Sequence, residues 1–139
     1  MKTLDIPVNK HLRFKKAAGN DDYILSLVPD ERHFNHLGTI HASVLFALAE
    51  ASSGEFLLNE FKEIINEVIP VVRKAEIKFS KPANGEVKSK VNFLNSSKTN
   101  VLNELNDKNR ILAKVKVYLF DENNAKVLHS EFEWFIFKK

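Results

Sequence analysis

The most distinctive part of the hydrophobic pattern is a run of small and apolar residues, 42–54, that contains a single charged side chain, Glu50. A helix that is apolar nearly all round is typically buried. An ionised carboxylate buried without a partner costs several kcal/mol at least, which is comparable to the stability of a small domain. We therefore expect Glu50 to have a bonding partner, to line a cleft, or to perform chemistry.

Around this run the pattern predicts more helix and a set of strands. Apolar residues keep helical spacing through 55–65, so the helix either ends near Gly54 or continues after a kink. Capping side chains at 95–99 predict a short helix that ends at a turn over 106–109. Elsewhere the pattern is strand-like, and the predicted strands cover 23–28, 71–79, 86–94, 114–119 and 128–136.

This order of elements predicts an α+β fold in which a curved antiparallel sheet wraps around a long central helix. We expect residues 1–139 to form a single domain. Such a sheet leaves a free edge and an outer apolar face, because Phe135 and Phe137 alternate with Trp134 and Ile136. Pairing with a second subunit is therefore expected, as a homodimer or a dimer of dimers.

Composition narrows the functional classes. The 139 residues include 11 Phe, enough for a core, and no Cys, which excludes disulfides, thiolate nucleophiles and Cys-ligated metals. The formal charge of +3 is spread along the predicted strands, so we expect no nucleic-acid partner. No apolar stretch at the amino end is long enough for a signal peptide or membrane span, so we expect no membrane partner and a cytoplasmic location.

Three histidines before the helix raise the question of a metal. His33, His36 and His41 include a His-x-x-His spacing, but acids are only loosely placed around them and no Cys is present. Ordinary loop histidines explain the spacing better. We expect neither a metal nor a cofactor.

The segment 33–42, which reads HFNHLGTIHA, the apolar helix that carries Glu50, and the later segment 77–85, IKFSKPANG, follow one another in a recognisable order. Together they resemble the hotdog-fold acyl-CoA thioesterases, and are most similar to the phenylacetate-pathway-like branch and its uncharacterised relatives. The resemblance covers the chain from about Tyr23 onward. It implies a hotdog fold and hydrolysis of an acyl-CoA thioester to a free acid and CoA.

The resemblance also implies roles for individual residues. Asn35 and His41 would lie beside the thioester, and Glu50 would attack it or activate a water. The backbone N–H of Ala42, which replaces the family's common glycine, would bind the thioester oxygen at the amino end of the helix. His41 and Glu50 lie roughly 13 Å apart on one helix, and in the family this gap closes because the active site spans the dimer interface.

The surrounding residues are expected to contact the substrate. The acyl chain would enter between subunits beside Leu45, Phe46 and Ala49. The full set of predicted substrate contacts is Gly38, Thr39, Leu45, Phe46, Ser53 and Lys81. The phosphates of CoA would meet surface cations, for which the candidates are Lys78, Lys81, Lys98, Lys108 and Arg110.

Each of these features has another interpretation. Glu50 could be a structural acid, hydrogen-bonded to the backbone or paired with Arg73 or Lys74. Asn35 and Gly38 could simply build a turn into the helix. The protein could also be a non-catalytic acyl-CoA-binding module on the same fold. A third class is a dehydratase or hydratase, in which His33 or His41 would act with Glu50.

Overall fold

The computed structural model describes residues 2–19 and 22–139, and within them six strands form one antiparallel sheet. The strands are β1 (Lys15–Lys16), β2 (Leu25–Leu27), β3 (Val68–Phe79), β4 (Val87–Phe93), β5 (Arg110–Phe120) and β6 (Lys126–Lys138). Their order across the sheet is β1-β2-β4-β5-β6-β3, so β4, β5 and β6 form a meander and β3 crosses over to the far edge. This is the predicted α+β architecture.

Three α-helices accompany the sheet in the described part of the chain: α1 (Pro7–His11), α2 (Ala42–Glu60) and α3 (Lys98–Lys108). Short 3-10 turns cover Thr3–Asp5, Glu31–His33 and Ile65–Glu67. None of the described helices is long and apolar enough to cross a bilayer. α2 is continuous through Gly54 and ends at Glu60, so the helix continues over the first part of residues 55–65 and the rest of that stretch lies outside it.

α2 is the core element around which the sheet is built. It packs on β2, β4, β5 and β6, and its residues Leu48 and Ala49 are fully buried. The inward-facing residues of β5 and β6, such as Val117, Leu128 and Phe132, are also fully buried. The apolar character of residues 42–54 therefore follows from burial on most sides of the helix.

β3 lies at the edge of the sheet and pairs only with β6 in the described structure. It begins at Val68, three residues before the predicted start, and so includes Pro70. Proline is tolerated there because an edge strand does not need every N–H for pairing. The register slips at a β-bulge between Val72 and Lys74, and four large apolar side chains on this strand remain exposed: Ile69, Val71, Val72 and Phe79.

The final strand confirms the predicted alternation. Trp134 and Ile136 are buried in the core, whereas Phe135 and Phe137 lie on the other face of the sheet. The rings of Phe135 and Phe137 contact each other with centroids 5.2 Å apart. The sheet therefore has a free apolar edge and an apolar outer patch, the two features from which self-association was predicted.

The predicted end of the short helix was also wrong. The expected turn over 106–109 is instead the last turn of α3, which runs to Lys108. Asn109 then adopts the left-handed conformation, with φ of 62°, and its N–H caps Leu105 O. Asparagine tolerates this conformation at the residue that follows a helix, so the polar cluster marks a helix end and not a loop.

Candidate active site

The loop before α2 is a tight turn organised by Asn35. The Asn35 Oδ1 accepts hydrogen bonds from the N–H of Leu37 at 2.8 Å and of Thr39 at 3.2 Å, while Nδ2 donates to Thr39 Oγ1 at 2.9 Å. Gly38 has φ of +76°, which favours glycine. Asn35, Gly38 and Thr39 thus shape the entry into the helix. Their contacts with a substrate stay predictions.

His41 is the N-cap of α2. Its Nδ1 accepts a hydrogen bond from the Ser43 N–H at 3.0 Å, so the ring satisfies one of the unpaired donors of the first turn. Ala42, the first residue of the helix, is exposed, and its N–H has no acceptor among the described residues. Together with the helix dipole, this free donor makes the start of α2 suitable for a developing negative charge.

Glu50 lies on α2, eight residues after Ala42, and is half-buried. Within the described residues its carboxylate has no hydrogen bond and no ion pair. The alternative partners are engaged elsewhere, since Arg73 lies 3.9 Å from Glu133 and Lys74 lies 3.5 Å from Glu76. Burial raises the pKa of Glu50 above its ordinary value. A structural acid would have a partner, so a partly desolvated carboxylate without one favours a functional role for Glu50.

The backbone beneath Glu50 is held by a buried pair of side chains. Ser53 Oγ donates to the Glu50 carbonyl oxygen at 2.7 Å and accepts from Trp134 Nε1 at 2.9 Å. Ser53 is fully buried. These bonds fix the last turns of α2 against β6, and they give Ser53 a positioning role in the free protein. Its predicted contact with a substrate is untested.

Glu50 lines a cavity of about 590 Å³, mostly apolar, between α2, the start of β3, β6, α3 and the amino-terminal segment. The cavity is lined on α2 by Glu50, Ala51, Gly54, Leu57 and Leu58, and directly after the helix by Phe61. This spacing is that of one helix face. A pocket of this size with an acid on its wall has the make-up of a ligand site.

The structure does not bring the predicted catalytic residues together within one chain. Asn35, His41 and Ala42 do not line the cavity. Glu50 follows Ala42 by eight residues on a continuous helix, which separates them by about 12 Å along the axis. A single substrate carbonyl therefore cannot contact both ends in one subunit.

The predicted acyl contacts lie away from the cavity. Leu45 and Ala49 are buried in the core, and Phe46 is 38% exposed with its ring 5.9 Å from that of Phe132. Neither Leu45 nor Phe46 lines the cavity. Their contacts with an acyl chain stay predictions.

Most of the candidate phosphate contacts are already paired with acids. Lys81 lies 3.4 Å from Asp121, and Lys98 and Lys108 also have carboxylate partners. Among the residues that the structure describes, Lys78 and Arg110 make no ion pair. These two are the cations most available to an incoming phosphate.

His33 has a structural role. It is fully buried, its Nδ1 accepts from the Asp30 N–H at 2.9 Å, and its Nε2 lies 2.7 Å from the Leu12 carbonyl, to which only a donor can bond. Both ring nitrogens are thus used within the fold. This leaves His33 unable to serve as the acid or base of a hydratase without losing its own contacts.

Sequence reasoning missed the cavity and two of its walls. The sequence pattern placed Trp134 only in the alternation of the final strand, and its indole also lines the cavity beside α2. Thr3, Ile6 and Asn9 close another side from a segment that has no marked hydrophobic period. Pro7 at the start of α1 was a usable signal of a helix start, because proline favours the first turn.

Many solved structures share this architecture, and three of them illustrate the similarity. PA5026 from Pseudomonas aeruginosa, described as a probable thioesterase, aligns with a TM-score of 0.83 at 20% identity, over 99% of this chain and 91% of its own. Thioesterase HI1161 from Haemophilus influenzae aligns with a TM-score of 0.74 at 17% identity, over 97% and 85%. A hypothetical thioesterase from Streptococcus pneumoniae, solved with coenzyme A, aligns with a TM-score of 0.65 at 14% identity, over 91% and 88%.

The curved antiparallel sheet around α2, shared with these structures, defines a hotdog-fold protein, as the sequence predicted. Within that class the chain belongs to the DUF4442 family, a domain of unknown function whose model matches residues 20–136. No curated protein matches the chain in sequence.

Proposed function

We propose that the protein is an acyl-CoA thioesterase, which hydrolyses an acyl-CoA thioester to a free acid and CoA at a site shared by two subunits. The observation that carries this proposal is Glu50, a half-buried carboxylate that has no partner among the described residues and lines a mostly apolar cavity. The names of the structural relatives, and the coenzyme A in one of them, support the same chemistry.

Glu50 acts as the base or the nucleophile. Because burial raises its pKa, the ionised carboxylate is a stronger base than an exposed glutamate. It either takes a proton from the attacking water or attacks the thioester carbon directly. In both routes the carbonyl oxygen gains negative charge, and the C–S bond then breaks to release the CoA thiolate. In the direct route the acyl group remains on Glu50 as an anhydride, and water hydrolyses it to free the acid and restore the carboxylate.

The free N–H of Ala42 stabilises that charge. It carries no acceptor in the described structure and lies at the positive end of the α2 dipole. His41 holds this end of the helix through its Nδ1 cap, which leaves Nε2 to donate toward the substrate. Asn35 completes the group from the adjoining turn.

The 12 Å between Ala42 and Glu50 on one helix is the reason for two subunits. The exposed edge β3, with four large apolar side chains, supports pairing with a second copy. A symmetric dimer would hold two equivalent sites, each with Glu50 from one chain and the Ala42 N–H from the other. A dimer of dimers would contain the same sites. The proposal also includes a cytoplasmic location, because CoA is an intracellular carrier.

The test is thiol release, followed with a chromogenic disulfide reagent, from a panel of short, long and aromatic acyl-CoAs. The proposal predicts release by the wild type that falls about a hundredfold or more in Glu50→Gln, since that variant keeps the shape but not the base. Glu60→Gln is the matched control, because it removes a carboxylate from the same helix outside the cavity.

Two results would overturn the proposal. Equal thiol release by the wild type and by Glu50→Gln would show that Glu50 takes no part in the reaction. Tight binding of acyl-CoA by the folded wild type, with no thiol released from any substrate, would identify a binding module instead.

A further inference from the structure

The cavity has a shape that restricts its occupant. Its α2 wall extends from Glu50 to Phe61, which is about 16 Å along the helix axis. An extended chain advances about 1.2 Å per backbone bond, so this length matches about a dozen bonds of a straight aliphatic chain. The volume of about 590 Å³ is also several times the ~150 Å³ in which an engineered protein cavity takes up benzene.

In addition to Trp134, five residues with polar side chains line the cavity: Thr3, Asn9, Glu50, Asn66 and Lys139. The remaining walls are hydrocarbon, with Leu57, Phe61, Val101 and Leu105 among the lining residues. The free energy of filling such a cavity grows with each methylene that leaves water, by about 0.8 kcal/mol. The cavity therefore favours longer chains over an acetyl group.

Gly54 and Trp134 both line the cavity and lie close to each other. A methyl group placed on Gly54 would lie 3.4 Å from Trp134 Cη2 and 3.5 Å from Cζ2, which is ordinary van der Waals contact. The indole cannot move away easily, because its Nε1 donates to the buried Ser53. An added methyl would thus be accommodated by the fold while taking up space beside the cavity.

One wall also lies outside the family match. Thr3, Ile6 and Asn9 precede residues 20–136, and Asn9 is fixed by donating from Nδ2 to Thr3 O at 3.0 Å. The cavity is thus a feature of this chain's own amino-terminal segment together with the hotdog core.

We propose that this cavity is the acyl pocket, that it takes medium-to-long straight aliphatic chains, and that Gly54 and Trp134 determine the chain length accepted. This inference rests on the proposed thioesterase function, and it names the substrate class of the same site. The acyl carbonyl would lie at Glu50 and the chain would extend along α2 toward Phe61. The alternative is that the acyl chain binds between the subunits, beside Leu45 and Phe46.

The test separates binding from hydrolysis. Trp134 is the sole tryptophan of the chain and lines the cavity, so its fluorescence reports occupancy in the Glu50→Gln protein, which keeps the thioester intact. Titration with acetyl-, butyryl-, octanoyl- and dodecanoyl-CoA gives a dissociation constant for each chain length. We expect octanoyl- and dodecanoyl-CoA to bind at least tenfold more tightly than acetyl-CoA and to shift the emission.

Adding Gly54→Ala to this protein should weaken dodecanoyl-CoA binding by about tenfold and leave acetyl-CoA binding unchanged. Ser52→Ala, a buried change on the same helix outside the cavity, is the control and should change neither. In the catalytically intact background, Gly54→Ala should lower the ratio of kcat/KM for dodecanoyl-CoA over butyryl-CoA by a similar factor. Phenylacetyl-CoA tests whether a compact aromatic group competes with the straight chain.

The outcomes distinguish the two proposals. If binding depends on chain length and Gly54→Ala reduces the chain length that binds well, the acyl-pocket proposal holds even if no thiol is ever released. A second outcome is that the wild type hydrolyses acyl-CoA with a dependence on chain length that Gly54→Ala does not change. That result would overturn the acyl-pocket proposal but not the thioesterase proposal. Tighter binding of phenylacetyl-CoA than of dodecanoyl-CoA would overturn the aliphatic assignment.

Discussion

At the scale of single residues, Glu50 shows a conflict between stability and chemistry. Placing a carboxylate in a half-buried position without a partner costs folding free energy, and the raised pKa is the measure of that cost. The same desolvation makes the carboxylate a better base. Such a residue is retained when its chemistry matters more than its contribution to the fold.

This conflict predicts a stability effect with a definite sign. Between the pKa of Glu50 in the unfolded chain and its raised pKa in the folded protein, the folded state keeps a proton that the unfolded state has lost. The free energy of unfolding therefore falls as pH rises through this window. Glu50→Gln should melt higher than the wild type at neutral pH, and the advantage should shrink as pH falls through this window and be smallest below the ordinary glutamate pKa of about 4.3.

Thermal unfolding of the wild type, Glu50→Gln and Glu60→Gln across this pH range measures the effect. The difference between the two variants isolates position 50 from the general loss of one carboxylate. A Glu50→Gln variant that melts lower than the wild type at neutral pH would show that Glu50 has a stabilising partner.

The proposed oxyanion donor can be removed without changing any side-chain contact. Ala42 is the first residue of α2, and its N–H is not bonded in the described structure, so proline costs no hydrogen bond there. His41 has φ of −60° and ψ of 139°, the extended conformation that a residue before proline prefers. Ala42→Pro should fold normally and lose about 10²–10³-fold in kcat.

Circular dichroism and thermal unfolding establish that Ala42→Pro is folded, and thiol release measures its rate. Ala42→Gly is the control, since it keeps the N–H. Full activity in a folded Ala42→Pro variant would exclude this N–H from the reaction.

The residue-scale features differed in how far the sequence revealed them. A single charge in an apolar helix marks Glu50 without any structure. The N–H of Ala42 was expected from its place at a helix start, and the structure confirms that the helix begins there. The cavity could not be predicted, because its walls come from five separate parts of the chain whose packing no local pattern encodes.

At the scale of elements, the start of α2 combines a cap with a candidate catalytic group. The His41 ring satisfies the Ser43 N–H, so replacing it affects both the helix and any chemistry. His41→Ala should therefore lower stability by about 1 kcal/mol. Asparagine is among the best N-cap residues, so His41→Asn should restore most of that loss.

Activity then separates the two roles. If His41 contacts the substrate, both variants should lose thiol-release activity by about tenfold or more, although His41→Asn is stable. Recovery of activity along with stability in His41→Asn would show that His41 acts only as a cap. Chemical denaturation gives the stability and the thiol assay gives kcat and KM.

Element boundaries were predictable where a local residue pattern determines them. They were missed where tertiary contacts determine them. The paired strands β5 and β6 follow from strict alternation and a polar turn. β3 was expected only after Pro70, but its edge position permits proline inside the strand. α3 extends to Lys108 because Asn109 provides the left-handed cap.

For the whole molecule, the proposed active site draws on two subunits. In one chain the helix that carries Glu50 keeps it about 12 Å from the Ala42 N–H. The fold thus places the proposed base beside an apolar cavity and the proposed oxyanion donor at the far end of the same helix. Pairing along β3 is the route by which two copies would bring them together.

Subunit mixing tests this claim most directly. Glu50→Gln and Ala42→Pro proteins, each with a different affinity tag, are dissociated together, reassociated in equal amounts and assayed for thiol release. Half of the dimers should be mixed, and each mixed dimer would hold one site with both native groups and one with neither. We expect activity to return to about a quarter of the wild-type rate, although each variant alone is reduced about a hundredfold or more. Mixed dimers isolated through both tags that release no more thiol than either parent would contradict a shared site.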